Sequence, residues 1–146
     1  MANNLDFLDE LANYLQVLLI GTAGTNIFVN KQPADVDNCV CLFGLPGATA
    51  GAGRDVPGLQ FPRYQAIIRN TSYNDGADKF QAVRTALHGL IGKILPNGVN
   101  IATTPYIRIM RSHAEQEGGP IGEDDKGRSE FSINFIAEYH HYDATP

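Results

Sequence analysis

The segment Gly47-Ala48-Thr49-Ala50-Gly51-Ala52-Gly53-Arg54 has the glycine density of a phosphate cradle, in which closely spaced backbone N–H groups wrap a nucleotide's phosphates. A Walker loop, however, needs Lys and then Ser or Thr directly after its last glycine, followed by a helix aimed at the phosphates. Here Arg54-Asp55 follows, and Val56-Pro57-Gly58 prevents a helix. A dinucleotide fingerprint fails for the same structural reason. The loop is therefore read as an assembly surface that holds no cofactor, with Gly47, Gly51, Arg54, Asp55, Leu59 and Phe61 expected at an interface with a neighbouring chain. A small-ligand-binding module that folds the glycine-rich loop over its ligand is the alternative of another class. Thermal shifts with nucleotides separate the two.

Other candidate groups are dispersed. His113 and the pair His140-His141 fall at opposite ends of a predicted hairpin if Ser112 and Ser129 face each other, and His88 lies in a predicted helix, so no three ligands converge on a metal. Glu115, Glu117, Glu123, Asp124 and Asp125 stand among Gly118, Gly119, Gly122 and Gly127. Acid–base catalysis needs a carboxylate in a desolvated, fixed setting, and a glycine-rich excursion offers neither. Cys39 and Cys41, one residue apart, point to one face of a strand and read as small buried hydrophobes. No serine or cysteine sits in a nucleophile motif, so no enzymatic activity and no catalytic residue is expected.

The elements that position these residues follow from pattern. The chain of 146 residues, 43% hydrophobic and 18% charged, suits one folded domain over residues 1–146. A net charge of −5 lacks the basic footprint of a phosphate-gripping protein. The strongly apolar run Val17–Ile20 is far short of a membrane span, and Met-Ala-Asn-Asn ahead of acidic residues is unlike a signal peptide. Synthesis in the cytoplasm of a cell and no membrane partner are expected.

Leu5, Leu8, Leu11, Leu15 and Leu18 predict a helix capped by Asn4 and ended by Gly21. Asn26 to Val29 and Asn38 to Phe43 read as strands that form a hairpin, and Gly44 to Pro62 as a long loop that an interface orders. Tyr64 to Arg69 is a strand. Ser72 to Asp75 resembles a capping box that opens a second helix through Phe80, Val83, Leu87, Leu90 and Ile94, stopped by Pro96-Asn97-Gly98. Thr104 to Arg111 and Ser129 to Tyr139 then form a long C-terminal hairpin around an excursion from His113 to Arg128. The fold class is α+β: a mainly antiparallel sheet packed by two amphipathic helices. Leu8, Leu11, Leu15, Leu18, Phe80, Val83, Leu87, Leu90, Phe131, Ile133 and Phe135 are the expected core.

The run Phe61-Pro62-Arg63-Tyr64-Gln65-Ala66-Ile67-Ile68-Arg69-Asn70, then Ser72-Tyr73 and a helix containing Ala77, Ala82 and Leu87, resembles phage minor capsid proteins of the tail-terminator type. Leu8 to Gly21 followed by Asn26-Ile27-Phe28 matches the opening of that pattern. The resemblance implies a structural virion protein at the head-proximal end of a long tail. Such a protein forms a ring, typically of six copies, that caps the tail-tube protein, stops its polymerisation, joins the head connector and lets double-stranded DNA pass. A neck or head-completion protein is the alternative within that class. On this reading the five acidic residues of the excursion face the lumen and keep it slippery to DNA.

Overall fold

The computed structural model describes residues 6–46 and 59–142. The first helix, α1 (Phe7–Val17), starts at Asp6, whose carboxylate accepts from the amides of Leu8 at 2.9 Å and Asp9 at 3.1 Å. Asn4 and Leu5 lie outside the described residues. The helix ends before Gly21. Leu19 adopts φ 62°, its amide returns to the Gln16 carbonyl at 2.9 Å, and the Ile20 amide reaches Leu15 at 3.0 Å, which closes the helix with a left-handed residue. Leu18 is thereby turned outward, 43% exposed, and leaves the core assigned to it from spacing. Leu19, 89% exposed, holds a conformation that costs a branched side chain about 1–2 kcal/mol and glycine nothing. Leu19→Gly is expected to stabilise the domain by about 0.5–1 kcal/mol, read as a higher Tm by calorimetry. An unchanged or lower Tm would show that the strain is relieved elsewhere.

The remaining elements are β1 (Ile27–Val29), β2 (Cys39–Leu45), β3 (Leu59–Gln60), β4 (Arg63–Asn70), α2 (Tyr73–Leu87), β5 (Lys93–Leu95), β6 (Tyr106–Ala114), β7 (Gly119–Glu123) and β8 (Ser129–Tyr142). Among the described residues they form one sheet in the order β1-β2-β4-β8-β6-β5, with β3 and β7 also paired to β8. Strand β8 is the axis. Along one edge it pairs with β4 and β3, and along the other with β7 and β6, always antiparallel. The architecture is α+β with a mostly antiparallel sheet and two helices, as the sequence pattern predicts.

Strands β1 and β2 do not form the expected hairpin. They pair in parallel, with Ile27 opposite Val40 and Val29 opposite Leu42. The connection between them is held back over the sheet by two buried arginines. Arg69 donates to the carbonyls of Pro33 and Val36, and Arg128 donates to that of Ala34 at 2.8 Å. These fixed carbonyl partners replace the tight turn that an antiparallel pair would need.

Helix α2 begins as expected, with the Ser72 hydroxyl accepting from the Asp75 amide at 3.3 Å. It stops at Leu87, earlier than the apolar spacing suggests, because His88 leaves the helix and Gly89 and Gly92 take φ 80° and 70°. Leu90 instead exchanges backbone bonds with Ser112, and Ile94 belongs to β5. Part of the excursion from His113 to Arg128 is strand, in the end of β6 and in β7: Glu123 pairs with Ser129, and a turn at residues 124–128 joins them. Ser112 faces Ala137, not Ser129.

Alternation along the strands puts Val40, Leu42, Tyr64, Ala66, Ile68, Ile107, Ile109, Phe131, Ile133, Phe135 and Ala137 in one hydrophobic cluster with Leu8, Leu11, Leu15, Phe80, Val83 and Leu87. Aromatic rings thread it. Phe7 stacks on Tyr139 at 4.5 Å and meets Tyr64 edge-on at 5.6 Å, while Tyr64 stacks on Phe135 at 4.9 Å. The buried Tyr64 hydroxyl shares a 2.6 Å hydrogen bond with Ser112, and burial raises its pKa, so the phenol stays protonated.

Candidate assembly surfaces

The sheet face opposite the hydrophobic cluster carries Gln65, Ile67, Ser132, Asn134, Ile136 and Glu138 by strand alternation, a half-buried surface of mixed polarity. At its β2 end Phe28, Cys39 and Cys41 form a second, smaller apolar cluster with Val36 and Phe43. The two thiols are free and 3.7 Å apart. A hydrogen bond from Cys41, helped by Arg69 and Arg128 nearby, lowers the Cys39 pKa to about 7, and the same bond with burial raises that of Cys41. Both nevertheless behave as the expected buried small residues, 5% and 0% exposed.

Four of the residues expected at an interface, Gly47, Gly51, Arg54 and Asp55, lie outside the described residues. Leu59 is in β3, opposite His140, and Phe61 is half-buried between β3 and β4. The segment from Gly44 to Pro62 is thus bounded on both sides by paired strand, since Gly44 and Leu45 belong to β2.

The five acidic residues do not make one patch. Glu115 pairs with Arg63 at 2.9 Å, one strand length from the turn where Asp124 holds Arg128 at 2.7 Å and the Lys126 and Arg128 amides at 3.0 and 2.9 Å. Glu117, Glu123 and Asp125 are exposed. Arg128 also reaches Asp37 at 3.2 Å, so Asp124 and its partner arginine fix the turn against the β1–β2 connection. Two of the five carboxylates therefore have structural work already.

His113 and the pair His140-His141 lie at opposite ends of the β6–β8 pairing, whereas His88, expected within the second helix, follows it and stands beside β6. The His88 ring nitrogen Nδ1 accepts from the Ala114 amide at 2.9 Å, His113 faces Ile136, and His140 lies opposite Arg108 with its ring 4.2 Å from that of Tyr142. Among the described residues no three His, Cys, Asp or Glu side chains come together as metal ligands, and no helix is long and apolar enough to cross a membrane.

Two surface features escaped the sequence reading. Val17, Leu18 and Leu19 project side by side, 50%, 43% and 89% exposed, and Ile91 is 78% exposed. Three consecutive apolar residues at a helix end cannot all face inward, and that was the available signal. The outer edge of β5 is the second feature; that of β1 is met at Ile27 by the backbone of Thr22 and Gly24.

A family model described as bacteriophage tail terminator protein matches residues 14–140, from the last turn of α1 to near the end of β8. The chain belongs to the bacteriophage tail terminator family. No curated protein matches it. Membership in this family makes the terminator a structural protein of the phage virion, and the half-buried sheet face, the open edge of β5 and the exposed apolar residues are then surfaces available for assembly.

Proposed function

We propose that the protein forms a ring, of six copies, that caps the tail tube at its head-proximal end, stops its polymerisation and joins the tail to the head connector. The observation that carries this reading is the family match over residues 14–140, which takes in the last turn of α1, all of α2 and nearly all of the sheet. A closed ring needs two different sticky faces on each subunit. The exposed apolar residues 17–19 and the segment that includes Leu59 and Phe61 are suitable in chemistry for such contacts. Phage lacking the protein should make tails of uncontrolled length that fail to join heads, and the purified chain should restore both properties. Tails of normal length without it would overturn the terminator reading.

The acidic excursion is proposed to face the lumen, where carboxylates weaken the hold of the ring on a passing duplex. Because Glu115 and Asp124 already pair with arginines, Glu117, Glu123 and Asp125 are the groups that act on DNA. The triple variant with lysine at these three positions is expected to assemble and to eject DNA more slowly, with the delay fading as salt rises. Ejection at the normal rate would place these residues on the outside.

A further inference from the structure

Between β2, the end of β4 and the first turns of α2 lies a cavity of about 210 Å³ lined by Ile20, Asn26, Asn38, Arg69, Asn70 and Lys79, together with Cys39 and Val40. Its polar groups share one property. The side-chain oxygen of Asn26 accepts from the Thr22 amide at 2.6 Å, that of Asn38 from the Thr71 amide at 3.0 Å, and that of Asn70 from the Ser72 amide at 2.9 Å. A backbone N–H can only donate, so these bonds fix all three side-chain amides with their oxygens occupied and their NH2 groups left over. Arg69 is 4% exposed, and its Nε is buried without a partner. The Lys79 ammonium, which donates to the Ile20 carbonyl, has further protons to give. No Asp or Glu lines the cavity, whose one acidic group is the Cys39 thiol, and Glu130, the cross-strand neighbour of Arg69, accepts from Gln32 instead.

A polar cavity lined by three amide NH2 groups, two cations and no carboxylate, with a buried guanidinium nitrogen left orphaned, suits an anion. We propose that it receives a single carboxylate, carried in by an aspartate, glutamate or C-terminal residue of a neighbouring protein chain. Three neutral amides and two cations, both already engaged with backbone carbonyls, suit one negative charge better than a phosphate dianion. A duplex presents its phosphates on a rigid cylinder and cannot insert one into a recess of this size, and the chain's net charge of −5 works against close approach of DNA. That the neighbour is another subunit or a tube protein rests on the terminator reading. The chemistry of the pocket does not.

The test uses the isolated, isotope-labelled protein and sodium acetate as probe. The Arg69 Nε–H and the three asparagine NH2 resonances should shift saturably, and Asn38→Asp should weaken that response roughly tenfold or more, because it keeps the oxygen that holds Thr71 and replaces a donor by a charge. Asn26→Asp provides an independent variant of the same design. Absence of a saturable shift overturns the proposal, as does an equal response in both variants. A response to inorganic phosphate or to a short DNA duplex, with none to acetate, also overturns it. In a tail-assembly assay Asn38→Asp should fail to complement, and full complementation would remove the neighbouring chain as the carboxylate's source. A wild-type chain that never associates with tails would sink the terminator reading while leaving the acetate result standing.

Discussion

Alanine in place of Phe135 is expected to destabilise the protein by roughly 3–5 kcal/mol, the range for removing a buried aromatic ring and leaving its cavity. The ring is wholly buried on β8 and stacks on Tyr64 at 4.9 Å. The site cannot close easily, because β8 is paired on both edges and the Tyr64 hydroxyl is tied to Ser112 at 2.6 Å. At about 3–5 °C per kcal/mol for a domain of this size, the Tm should fall by about 10–20 °C. Calorimetry on the purified variant decides it: a fall of only a few degrees would mean that the core is centred elsewhere. Leu87, equally buried but at the end of α2, should show a similar loss on replacement by alanine, about 2–5 kcal/mol.

Gly118→Ala should have the second largest effect, and a more local one. Gly118 sits just before β7 with φ 72°, where an added Cβ would lie 2.6 Å from the Ser132 carbonyl oxygen and 2.7 Å from the Ile133 Cβ. Both belong to β8, whose backbone is held from two sides, so β7 has to give way. Backbone strain alone costs about 1–2 kcal/mol. The overlap adds to it, and the expected outcome is detachment of β7. Hydrogen exchange should show the amides of Gly119 to Glu123 losing protection while those of β4 and β6 keep theirs. Protection unchanged in β7 would refute this account.

Much of the fold was legible in the sequence because the patterns that specify it are local. Phe131, Ile133, Phe135 and Ala137 alternate with polar residues and are buried as a set; Leu8, Leu11 and Leu15 form the inner stripe of α1. What was misread depends on distant partners. Leu90 and Ile94 keep helical spacing from Leu87, yet two glycines and the pairing of Ser112 draw them into extended backbone. The β1–β2 segment looks like a hairpin until Arg69 and Arg128, far along the chain, fix its carbonyls. The acidic excursion seemed a free loop because nothing local shows that residues 119–123 have β8 beside them.

The candidate site was less legible still. The glycine-rich stretch drew attention by composition, whereas the donor-lined cavity is assembled from Asn26, Asn38, Arg69, Asn70 and Lys79, residues that look unremarkable one at a time. Its signature is the state of the hydrogen bonds, since an asparagine becomes a pure donor only when a particular amide occupies its oxygen. No spacing rule conveys that.

The position of β8 in the sheet also bears on how the chain is made. Strands β1, β2 and β4 form one block, β5 and β6 another, and β8 joins the two. Of the described strands it is the last in sequence, so until it emerges the nascent chain has two half-sheets, each exposing an unpaired edge and the apolar residues later covered. Folding of the sheet therefore waits for residues 129–142, and a chain cut short before Ser129 lacks the strand that joins the halves. In an infected cell, incomplete copies would therefore lack the continuous sheet of the complete protein.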